Sequence, residues 1–183
     1  PFRGGGEWFI RDGSRHIGAA SVVSPEGEVV DSLGDTSAPI FPRSTLKPFQ
    51  AIASLKAGAP LRGAEIAIAA GSHEGSFEQM QVVANMLEAA GLSPSDLQCP
   101  EAYPKDERAH SYLLAHGKGK QRIAFNCSGK HAAFLSASAE NGWDPATYLD
   151  PDHPVQRIVM EIVEELTGCL LYTSPSPRDR QKS

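Results

Sequence analysis

Six apolar residues, Val155, Ile158, Val159, Ile162, Val163 and Leu166, recur at three- and four-residue spacing behind the start signal Asp152-His153-Pro154. That period is helical, and it makes one face apolar and the other charged. A helix divided in this way draws most of its stability from whatever covers its apolar face. With 183 residues and 40% hydrophobic content, the chain suits one domain, or most of one, with enough apolar material for that core.

The same period marks further helices. One starts at Ser44, carries Leu46, Phe49, Ile52 and Leu55, and ends at Gly58 and Pro60. Another starts at Ser76, where Gln79 completes a capping box, and carries Met80, Val83, Met86, Leu87 and Ala90 before Gly91. Asp106 to His116 and the run from Ala132 to Gly142, with Phe134 and Leu135, read as two more. Strands are fewer. His16 to Val23 and Glu28 to Val30 form a hairpin around Ser24-Pro25-Glu26-Gly27, with proline second and glycine fourth as type I turns favour. Gln121 to Phe125 reads as a short strand, and Ala64 to Ala70 is open to either state. The fold class expected is α+β.

A net charge of -5 shows no basic excess, so neither nucleic acid nor an anionic membrane surface is an expected partner. No run reaches the ~18 apolar residues of a membrane span, and Pro1-Phe2-Arg3-Gly4 opens no apolar leader, so a cytoplasmic location is expected. Cys99, Cys127 and Cys169 are odd in number and far apart, which suits free thiols or a metal ligand better than a disulfide framework. After Gly168 the composition turns abruptly polar, Pro/Ser-rich and basic. Residues 1–168 are therefore read as the N-terminal part of one domain, and 169–183 as a non-native tail resembling a translated sequencing adaptor. A natural disordered tail is the alternative.

Three stretches carry chemistry. Ser44 and Lys47 are three apart at a helix start, so Ser44 Oγ and Lys47 Nζ can meet across one turn and a neutral amine can take the hydroxyl proton. The alternative is an ordinary helix cap. Ser72-His73 offers a second hydroxyl and a polar ring, or is merely a Gly/Ser turn. Cys127 and Lys130 lie three apart with His131 adjacent, which suits a metal, or else a buried thiol beside a surface lysine. A phosphate loop is excluded, because Ala124 and His131 stand where it needs a glycine and a Ser or Thr.

Arg43-Ser44-Thr45-Leu46-Lys47-Pro48-Phe49-Gln50, Gly71-Ser72-His73-Glu74-Gly75, Asn126-Cys127-Ser128-Gly129-Lys130-His131 and Asp152-His153-Pro154-Val155-Gln156-Arg157 together resemble the asparaginase II family, the rhizobial-type L-asparaginases, over about residues 14–168. The resemblance implies a fold similar to serine β-lactamases and penicillin-binding proteins, of which this chain would be the N-terminal portion. It also implies a catalytic Ser44–Lys47 pair and a second serine at Ser72 that pairs with a much later lysine. A zinc ion would take Cys127 and Lys130 as two of its ligands. His131 stands at a polar active-site position; Asn126 and His73 are assigned with it to the substrate, and Arg43 is a candidate clamp for a substrate carboxylate, or a surface residue. The family's early glutamate is not clear at Asp12-Gly13-Ser14, and Cys169 comes too early to be its third zinc ligand. The β-lactamase Ser-Asp-Asn and Lys-Thr-Gly motifs are absent.

The expected function is hydrolysis of L-asparagine to L-aspartate and ammonia through a Ser44 acyl-enzyme, with the 183-residue chain inactive by itself and a homodimer the assembly expected. Two rivals stay open: another serine acyl-transfer hydrolase of β-lactamase type, and a non-catalytic zinc-binding domain.

Overall fold

A computed structural model describes residues 18–168. The expectations attached to Asp12-Gly13-Ser14, His16, Ile17, Cys169 and the segment 169–183 lie outside the described residues. The described residues fall into two compact units, divided between Phe41 and Pro42.

In the first unit, β1 (Ala20–Val23) and β2 (Val29–Leu33) pair antiparallel, with Ala20 opposite Leu33 and Val22 opposite Asp31. The register slips at Val23, which faces Val29 and leaves Val30 as the extra residue of a bulge. The turn is the expected one: Gly27 N donates to Ser24 O at 3.0 Å, with Gly27 at φ +89°.

The second unit opens with a 3-10 turn, Arg43–Leu46, and carries α1 (Lys47–Lys56), α2 (Ala64–Ala70), α3 (Phe77–Ala89), α4 (Glu107–Ala115), α5 (Ser128–Glu140) and α6 (Pro154–Thr167). The chain is thus a mixed α+β protein, mostly helical, with one two-stranded sheet among the described residues. Helix α5 is its centre. Ser128, Gly129 and His131 through Ser138 are buried, and α1, α2 and α3 pack around them. Small side chains permit this enclosure. A Cβ on Gly129 would stand 2.5 Å from Ile68 O, so only glycine lets the α2 backbone approach there. Ser136 and Ser138 satisfy their buried hydroxyls by donating to Ala132 O and Phe134 O.

Local signals placed most helix starts. Ser76 and Gln79 form the reciprocal capping box of α3, whose buried Val83, Met86 and Leu87 each contribute on the order of 1.5–3 kcal/mol. Helix α6 buries Val155, Val159, Ile162 and Val163, with His153 Nδ1 accepting from Val155 N at its start. Ala64 to Ala70 is a helix.

Two expectations fail. Gln121 to Phe125 is not a strand: Arg122–Ala124 forms a 3-10 turn, closed by Phe125 N donating to Arg122 O, and a single bridge joins Gln121 to Ala102. Among the described residues no neighbouring strand extends the ladder there. In α1 the apolar period holds but the buried face is Lys47, Ala51, Ala53 and Ser54, while Ile52 and Leu55 are exposed. Among the described residues, no helix is long and apolar enough to cross a membrane.

Candidate active site

Lys47 starts α1 on its buried face and is only 5% exposed. Burying an amine is costly unless a polar partner receives it. The partner is Ser72, in the loop that leaves α2: Lys47 Nζ donates to Ser72 Oγ at 2.5 Å. Among the described residues no carboxylate forms an ion pair with Lys47.

The expected one-turn meeting of Ser44 with Lys47 does not occur, because Lys47 turns inward to Ser72 while Ser44 is exposed. Nor is Ser44 a cap. The 3-10 turn is capped by Pro42 and α1 by Leu46, neither through a side chain, and it is Thr45 Oγ1 that donates to Pro42 O. The Ser44 hydroxyl therefore has no structural task among the described residues. Its neighbour Arg43 is exposed and sits at φ +48°, the left-handed region that non-glycine residues avoid. Such outliers concentrate at functional sites.

His73 is buried beside Ser72. Its backbone N donates to Asn126 O at 3.1 Å, and its ring lies between Gly75 N and Ser128 Oγ. Burial, and then the positive charge of Lys47, hold its pKa below the ordinary histidine value. Asn126 Oδ1 accepts from Cys127 Sγ at 3.4 Å. His131 is turned to a different partner, with Nδ1 2.8 Å from Tyr148 OH, which itself accepts from Gln98 N. Burial first, and Lys130 second, push His131 down to about 4, and burial pushes Tyr148 up to about 12. Tyr148 and Ser128 escaped the sequence reading as site partners. Ser128 was visible inside Asn126-Cys127-Ser128-Gly129-Lys130-His131, whereas nothing local marks Tyr148.

Cys127 and Lys130 lie at the start of α5 and are half-buried. Burial pulls the Lys130 amine below its usual range, Cys127 opposes this, and Lys47 adds to it. A lowered amine suits metal ligation, which requires loss of its proton. Still, no group of three or more His, Cys, Asp or Glu residues able to hold a metal exists among the described residues. Cys127 and Lys130 alone do not complete a zinc site, which takes three or four protein ligands.

A cavity of about 370 Å³ adjoins Ser72 and His73, walled by Ala64, Ala67 and Ile68 of α2 and by Glu78, Gln79 and Val82 of α3. The structure brings Lys47, Ser72, His73 and Asn126 together; Ser44 joins them through its backbone, with Ser44 O accepting from Lys47 N, while Arg43 and the Ser44 hydroxyl are exposed. Fold and site define a mostly helical α+β protein whose polar centre pairs the buried Lys47 with the exposed Ser72. The L-asparaginase II family model matches residues 11–176, and the chain belongs to that family. The matched span runs past Gly168 into the segment set apart as a tail. The family is one of amide hydrolases with small-molecule substrates. Among curated proteins, no sequence matches the chain.

Proposed function

We propose that the chain is the N-terminal part of an L-asparaginase that hydrolyses L-asparagine through a serine acyl-enzyme, in an architecture akin to serine β-lactamases. Family membership supports the substrate class, and the Lys47–Ser72 hydrogen bond is the observation that carries the mechanism. Ser44 Oγ attacks the side-chain amide carbon, and its proton passes to Lys47 Nζ when that amine is neutral. Ser72 gives its hydroxyl proton to the departing nitrogen and is reprotonated by Lys47, so ammonia leaves and the acyl group stays on Ser44. Water then releases aspartate, with Lys47 taking its proton and Ser44 recovering one. The cavity beside Ser72 is the space for the substrate; Arg43, Asn126 and His131 do not line it and are candidate contacts through the family resemblance alone.

In this reading a zinc ion takes Cys127, Lys130 and a donor outside the described residues. When bound it would supply fixed positive charge and clamp the start of α5. Residues 1–183 alone would not turn over asparagine. The two described free thiols, Cys99 and Cys127, are in keeping with a cytoplasmic setting.

A second reading is favoured by the same hydrogen bond: Ser72, already held by Lys47, is itself the nucleophile. The general test is ammonia release from L-asparagine by the full-length protein, set against hydrolysis of a simple ester. Ammonia release without esterase activity supports the asparaginase reading; esterase activity alone would move the protein to the broader serine hydrolases.

A further inference from the structure

We propose that His73 is a positioning residue, which holds Ser72 against Lys47 by anchoring the loop after α2 to the start of α5. The inference rests on the Lys47–Ser72 contact having the catalytic role given above. It assigns His73, which lines the same cavity as Ser72, a role exerted through Ser72.

The ring is fixed from both sides. Ser128 Oγ donates its single proton to Ile123 O at 2.8 Å, so toward His73 it accepts, and the 2.8 Å contact requires a proton on Nε2. Gly75 N donates to Nδ1 at 3.1 Å, so that nitrogen is bare. One neutral tautomer satisfies both contacts, and neither nitrogen remains for a ligand. The backbone bond from His73 N to Asn126 O adds a third tie to the same junction.

The loop on the other side of the ring is equally constrained. Glu74 O accepts from Lys105 N and Asp106 N, and Gly75 stands at φ +77° where a Cβ would meet Ala124 O at 3.1 Å. Ser72, by contrast, is exposed, and among the described residues its one hydrogen bond is that with Lys47. Its position is therefore inherited from His73, one residue along. A shift of about 1 Å takes a hydrogen bond outside its useful range, so the Lys47–Ser72 contact depends on where the loop is held.

The test needs no turnover and uses the full-length protein. The Lys47 side-chain resonances (13Cε and 15Nζ) are recorded for the parent, Ser72→Ala, His73→Ala, Ser128→Ala and His73→Gln, with circular dichroism to confirm folding. The inference expects Ser72→Ala to shift the Lys47 signals, His73→Ala and Ser128→Ala to shift them in the same direction, and His73→Gln, whose amide can donate to Ser128, to stay near the parent. Folded His73→Ala and Ser128→Ala with parent-like Lys47 signals would overturn it. Where His73→Ala does not fold, Ser128→Ala, which loses one hydroxyl, decides. If Ser72→Ala itself leaves Lys47 unmoved, the Lys47–Ser72 contact fails, and the proposed mechanism with it.

Discussion

Lys47 Nζ rests 2.5 Å from Ser72 Oγ across 25 residues of sequence, and the hydroxyl three residues before Lys47, Ser44, stays outside that bond. The lysine of the Ser44-x-x-Lys47 pattern is thereby engaged through the second serine before any substrate arrives. This arrangement makes Lys47 the common element of both readings of the nucleophile.

Lys47 should consequently tolerate no replacement that cannot accept a proton. Lys47→Met keeps much of the stem, and Lys47→Arg keeps the charge but holds its protons at pKa above ~12. Both are expected to lower kcat for asparagine by about 100-fold or more, the usual range for a general base. Steady-state kinetics on folded variants of the full-length protein would check this. A Lys47→Arg enzyme with near-parental kcat would remove proton transfer from Lys47.

How much of this was visible in sequence differs by residue. Ser76 with Gln79, and the Val155-to-Val163 period of α6, are local signals, and the structure reproduces them. The Lys47–Ser72 bond depends on α1 and α2 both packing on α5, which no local pattern encodes. In α1 the period was right and the face was not, because Ala51 and Ala53 allow the close packing that places Lys47 inside and Ile52 outside. Gln121 to Phe125 failed for a related reason: a strand exists only with a partner, and among the described residues the bridge to Ala102 is the one pairing present.

Cys127 should be required for zinc. Metal analysis of the full-length protein is expected to give about one zinc per chain, falling severalfold or more in Cys127→Ser, since zinc sites take three or four protein ligands. Equal zinc in both proteins would take Cys127 out of the site. The buried Cys99 thiol, raised to about 11 by burial, should resist alkylation at neutral pH until the chain unfolds.

Acid should weaken the fold through His131. Its folded pKa of about 4 lies below the ordinary value of 6.5, so between these the unfolded chain binds the extra proton and stability falls as pH falls. The stabilisation is complete above pH 6.5 and lost as pH drops toward 4, at most about 3 kcal/mol for this one group. Urea unfolding at several pH values would measure it. His131→Gln should flatten the slope, and an unchanged slope would place the acid sensitivity elsewhere.

The most direct test of the account is where the acyl group goes. The full-length protein is treated with a serine-directed acylating asparagine analogue, digested, and mapped by mass spectrometry, with Ser44→Ala and Ser72→Ala in parallel. The account predicts the adduct on the peptide containing Ser44, its loss in Ser44→Ala, and slower labelling of the same peptide in Ser72→Ala. An adduct on Ser72 that persists in Ser44→Ala would contradict it and make Ser72 the nucleophile.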